Sequence, residues 1–146
     1  MKFIFAAVAS IAVFGAAGQS LACETYENAL GQSWRAGPEA YWYSASQGSR
    51  LMPLSWYRAL QRPDDGTPFS HRANMALYGF EFCDDNASDP IGFVVDDDAV
   101  AGPAIGLNCA ACHTGSLTLD GKTSYLVHGG AARMDLQGFT QDLVAS

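Results

Sequence analysis

The sequence predicts a mainly α fold with one small β-hairpin, and three observations carry that prediction. Two proline-led segments, after Pro38 and after Pro53, open as helices do, with proline in the first turn. A third segment, from Ala131 to Ala145, sets Ala132, Leu136, Phe139 and Leu143 along one helical face. Between them, Asp120-Gly121-Lys122 separates Leu117-Thr118-Leu119 from Tyr125-Leu126-Val127, the pattern of a hairpin on an Asp-Gly turn. A chain of 146 residues with 49% apolar and 12% aromatic residues has material for a single core. Its charged share of 16% argues against disorder.

Taken in order, Met1-Lys2, the apolar run Phe3 to Ala17 and the small residues around Ser20-Leu21-Ala22 have the three parts of an export signal. Residues 1–22 are therefore expected to be removed, leaving 23–146 as one domain in the periplasm or secreted. The apolar run is too short for a membrane span. The first helix follows Pro38 through Glu39-Ala40-Tyr41-Trp42-Tyr43 and breaks at Gln47-Gly48-Ser49; the second follows Pro53 to Leu60 and ends at Arg62-Pro63. Residues 63–68 and 84–90 are turn clusters by composition, and Met75 to Phe82 between them fits a strand or a short helix. Ile91 to Val95 is an extended run leading into Asp96-Asp97-Asp98, an expected solvated loop. That triple lacks the alternating ligands and turn glycine of a calcium loop. The net charge of −7 offers no basic stripe for a phosphate backbone, which excludes nucleic-acid binding.

The chemistry is concentrated in Cys109-Ala110-Ala111-Cys112-His113, the attachment pattern for a c-type haem. At a helix start, two thiols two residues apart reach the two vinyl groups of one porphyrin, and the next residue supplies the proximal imidazole to the iron. Ala110 and Ala111 are small enough to lie against the ring. One haem c per chain is expected, bound by Cys109, Cys112 and His113. The fold class then becomes a cytochrome c-like haem domain with an extended N-terminal region. A thioredoxin-like redox pair would need strand-helix-strand surroundings, which Gly106-Leu107-Asn108 and Thr114-Gly115 do not suggest. Zinc would need a second cysteine pair.

The iron's sixth ligand decides between electron transfer and oxygen or peroxide chemistry. His128 and Met134 are the downstream candidates; His71, Met52 and Met75 are those upstream. Core packing and local hydrogen bonds are the competing roles of all five. Cys23 and Cys83 remain, with three readings: a disulfide, which an oxidising compartment permits and which is favoured; a lipid anchor on Cys23, which would bring the chain to a membrane but lacks the usual Leu at Ser20; or two free thiols.

Gly106 to Gly115 together with Gly129-Gly130-Ala131-Ala132-Arg133-Met134-Asp135-Leu136-Gln137-Gly138-Phe139 resembles the haem region of di-haem cytochromes of the rubber-oxygenase type, relatives of the bacterial cytochrome c peroxidases. The stretches Gly48 to Tyr57 and Pro90 to Val94 are similar to that family too. The resemblance implies that Cys109, Cys112 and His113 hold the first of two haems, and that the chain is the N-terminal portion of a longer protein. The 33 residues after His113 and the uncapped last helix fit an incomplete haem domain. The expected function is an exported c-type cytochrome that moves electrons within a di-haem oxidoreductase. Its partner would be a redox protein or the missing C-terminal haem domain, with a small-molecule oxidant a further option. A haem-dependent oxygenase or peroxidase domain is the alternative, and a truncated inactive product is the third reading.

Overall fold

The computed structural model describes residues 36–84, 87–121 and 123–146. The export signal over 1–22 and Cys23 lie outside them. The described residues form five helices and five strands in two antiparallel sheets, which overturns the expected mainly α, cytochrome c-like fold. The helices are α1 (Ala36–Ser44), α2 (Leu54–Ala59), α3 (Arg72–Leu77), α4 (Cys109–His113) and α5 (Leu136–Ala145). The strands are β1 (Met52–Pro53), β2 (Phe93–Asp98), β3 (Gly102–Leu107), β4 (Thr114–Leu119) and β5 (Thr123–His128).

The sheet missed from the sequence has order β1-β3-β2. Its long pair runs from Phe93 opposite Leu107 to Asp98 opposite Gly102, and Met52 and Pro53 join the far edge against Ile105 and Ala104. The aspartate run lies inside β2 because tertiary partners override its poor strand propensity. Asp96 receives hydrogen bonds from Ser46 and Arg50, which hold its carboxyl below the usual range. Asp98 accepts the Val100 and Ala101 N–H groups at 2.8 and 2.7 Å and closes the turn into β3. Gly102-Pro103-Ala104-Ile105-Gly106-Leu107 gives little alternation to announce a strand, since two glycines and a proline interrupt it.

Helices were expected at α1, α2 and α5 and occur there. α5 begins only at Leu136, because the Asp135 carboxylate accepts the Gly138 N–H at 2.8 Å while its own N–H is spent on the Tyr78 carbonyl. The hairpin of β4 and β5 occurs where expected, and Asp120 and Gly121 both take the positive φ that its turn demands.

The main core is aromatic. Phe69, Phe80, Phe93 and Phe139 are buried together with Tyr57, Tyr78 and Met75. Phe80 meets Phe93 and Phe139 edge to face, with ring centres 4.9 and 5.1 Å apart, the arrangement the ring quadrupoles favour. A smaller cluster of Tyr43, Ile91, Ala110 and Leu126 lies beneath α4. Among the described residues no helix is long and apolar enough to cross a membrane.

Candidate functional site

α4 is five residues long and consists of the Cys-x-x-Cys-His run alone. Asn108 starts it: its side-chain oxygen accepts the Ala110 N–H at 2.8 Å, an N-cap. The amide nitrogen of the same side chain lies 3.0, 3.3 and 3.2 Å from the carbonyls of Trp42, Tyr43 and Ala45. One buried asparagine thus fastens the start of α4 to the end of α1. From the other side, Gly92 lets β2 approach. A Cβ there would lie 2.1 Å from the Ala111 nitrogen, and its φ of +80° favours glycine.

At its far end α4 runs directly into β4. The Gly129 N–H donates to the His113 carbonyl at 2.7 Å, and the Ala132 N–H donates to that of Cys112 at 3.0 Å. Trp42 Nε1 donates to Thr114 Oγ1 at 3.1 Å, and the Tyr43 hydroxyl lies 3.3 Å from each ring nitrogen of His128. The motif is therefore clamped by α1 and the hairpin.

Spacings of three and four residues put Cys109, Cys112 and His113 on one stripe of α4. Cys109 and His113 are exposed and Cys112 half-buried, while Ala110 and Ala111 are buried. The alanines thus do not face the side on which a ring would be attached; their small size serves the close approach of β2 and the packing of Tyr43, Ile91 and Leu126. Both thiols are free. Cys109 Sγ donates to Gln47 Oε1 at 3.1 Å; burial, and then the neighbouring Cys109, pushes the Cys112 thiol up. Among the described residues no hydrogen bond or ion pair engages the His113 imidazole. Two free thiols, one exposed and one half-buried, and an exposed imidazole on one stripe are the donor set a covalent haem requires.

The five sixth-ligand candidates each have other partners. His128 is buried against Tyr43, Met75 is fully buried in the aromatic core, and Met52 and Met134 pack on that core. His71 caps α3, its Nδ1 accepting the Ala73 N–H. Cys83 is disulfide-bonded, and Cys23, the other half of the expected pairing, lies outside the described residues.

Two rival chemistries are also addressed by the geometry. α4 does have strands on both sides, which the sequence did not suggest, but β3 and β4 belong to separate antiparallel sheets and form no parallel βαβ unit. Among the described residues no group of three or more His, Cys, Asp or Glu side chains converges on a metal-sized site. The residue missed in the sequence is Asn108; its signal was an N-cap type directly before a short helical motif.

No family model matches the chain, and no solved structure matches it. Among curated proteins it is similar to the uncharacterised protein y4iJ of Sinorhizobium fredii, 34% identical over 75% of this chain and 22% of the relative. The chain therefore spans about a fifth of the length of the relative it matches.

Proposed function

We propose that this chain is the haem-bearing segment of an exported c-type cytochrome that transfers electrons, as part of a di-haem oxidoreductase of the kind its motif region resembles. The observation that carries the reading is the outward stripe of Cys109, Cys112 and His113 on a helix held by Asn108 and the hairpin. Cys109 and Cys112 would tether one haem c, and His113 would be the proximal ligand. When bound, the haem supplies a one-electron couple whose potential the proximal ligand and local burial set.

The chain's own residues do the positioning. Asn108 fixes the first turn of the motif, and the Gly129 N–H takes up the His113 carbonyl so that the imidazole projects from a pinned backbone. The disulfide at Cys83 supports export, since such bonds persist in oxidising compartments. The periplasm or the extracellular space is accordingly the proposed location. A second reading, a haem-dependent oxygenase or peroxidase domain, is favoured by one observation: His71, His128, Met52, Met75 and Met134 each already have partners at a cap or in the packed interior.

The test is expression with periplasmic haem-attachment machinery, followed by a denaturing gel stained for haem and by optical spectra. Wild-type protein is expected to keep its haem on the gel, and Cys109→Ser/Cys112→Ser to lose it entirely. Absence of stain in the wild type would overturn the proposal. A low-spin six-coordinate spectrum supports electron transfer, and a high-spin one supports the oxygenase or peroxidase reading.

A further inference from the structure

The loop that leaves α1 runs back along the end of β3 and the start of α4, and it is pinned almost position by position. Asn108 reaches the Ala45 carbonyl at 3.2 Å. The Ser49 hydroxyl accepts the Leu107 N–H at 3.2 Å, and a Cβ on Gly106 would lie 1.8 Å from the Ser49 carbonyl oxygen. The Leu51 N–H donates to the Ile105 carbonyl at 2.8 Å and leads into β1. Between these anchors Ser46 donates to Asp96 Oδ2 at 2.6 Å while its hydroxyl accepts the Gly48 N–H at 3.2 Å. Gly48 takes a φ of +79°, which favours glycine, and Arg50 fastens the same Asp96.

Gln47 stands between Ser46 and Gly48, so its backbone is placed by bonds that its own side chain does not make. That side chain meets the motif: Gln47 Oε1 accepts the Cys109 S–H, with Sγ at 3.1 Å. Both residues are exposed, so core packing does not explain the meeting. A fixed acceptor selects one of the staggered positions open to the Cys109 sulfur. A carboxamide also serves both protonation states of a thiol. Its oxygen accepts from S–H and, turned over, its NH2 donates to S⁻, the form that attacks.

We infer that Gln47 is a positioning residue for Cys109, holding its sulfur at the head of the stripe, as thiol and as thiolate, for thioether formation. In that step the Cys109 S–H bond breaks, a carbon–sulfur bond forms to one carbon of a vinyl group, and the hydrogen ends on the other carbon, with no net oxidation. The vinyl target rests on the attachment reading above, and the test separates the two. Protein made without haem-attachment machinery is alkylated with iodoacetamide, and the rates at Cys109 and Cys112 are read separately by peptide mass spectrometry. Gln47→Leu is expected to slow Cys109 by about two- to fivefold, the worth of one net hydrogen bond, and to leave Cys112 and the urea midpoint unchanged. Gln47→Glu can accept from the thiol but cannot donate to the thiolate, so it is expected to slow Cys109 at least as far. With the machinery present, both variants are expected to lose thioether at Cys109 before Cys112. Wild-type rates in Gln47→Glu, or equal slowing of both cysteines with a lower urea midpoint in Gln47→Leu, would overturn the positioning role in favour of a structural one. No gel-stable haem in the wild type would overturn the attachment reading and the vinyl target with it, while the alkylation rates still decide whether Gln47 governs the sulfur.

Discussion

The aromatic core and the α4 region are built from opposite materials. Around Phe80, Phe93 and Phe139 the space is filled by large rings in edge-to-face contact, with Tyr57, Phe69 and Met75 almost wholly buried. Under α4, Ala110 packs with Tyr43, Ile91 and Leu126 and Ala111 meets the aromatic core, with Gly92 in close approach, and the helix is held by hydrogen bonds from Asn108, Trp42 and Tyr43. The first region is almost all aromatic and takes only Ala111 from α4. The second turns its thiols and its imidazole outward. The contrast teaches that rigidity at the motif comes from backbone anchoring by polar side chains, while most hydrophobic stabilisation is generated elsewhere. The proposed covalent attachment would need fixed positions more than a core of its own.

The sharpest way to break this division is Phe139→Ala. Phe139 is 1% exposed and touches Phe69, Tyr78, Phe80 and Phe93 through its ring. Its removal should cost about 3–5 kcal/mol, the loss of burial plus the cavity left behind. Urea unfolding should show the fall, while gel-stable haem persists in whatever protein folds. Loss of the stain with an unchanged unfolding midpoint would show that the two regions are not separable.

The complementary cut is Asn108→Ala, which removes the cap of α4 and leaves the carbonyls of Trp42, Tyr43 and Ala45 without their shared donor. A loss of about 1–3 kcal/mol is expected, with a lower yield of attached haem. Asn108→Ser sharpens the comparison, since it can keep the cap but not reach α1. Its stability should fall between wild type and Asn108→Ala, and equality with wild type would remove the α1 link from the account.

Much of this was legible in the sequence where the signal is local. Pro38, Pro53 and the Asp-Gly turn mark α1, α2 and the β4–β5 hairpin, and the Cys-x-x-Cys-His spacing marks α4. Of the three-stranded sheet only the first half of β2 was legible, in the extended run Ile91 to Val95; the rest was not, because β3 is interrupted by Gly102, Pro103 and Gly106 and β2 ends in three aspartates. Only Arg50, Ser46 and the turn at Asp98, distant or folded back, make those residues a ladder. The orientation of Ala110 and Ala111 was likewise hidden: small residues suit a porphyrin and a close strand equally well, and only Gly92 on the other side tells which neighbour they meet.

The smallest expected effect concerns how the core holds its last helix. The Tyr78 hydroxyl donates to Asp142 Oδ2 on α5 at 2.7 Å. Burial first, and then that carboxylate, pushes its pKa up from 10.0 to about 12. A folded value above the unfolded one means that the stabilisation is complete below pH 10.0 and is lost as the pH rises through about 12. Tyr57, buried and raised for the same leading reason, acts in the same direction, so Tyr78→Phe should reduce the alkaline loss without abolishing it. Urea midpoints at about pH 9 and about pH 11 are the measurement, and wild type should fall further between them than Tyr78→Phe does. An equal fall in both would mean that α5 is held by Phe139 and Leu143 alone, and that the polar anchoring seen at α4 has no counterpart on the core side.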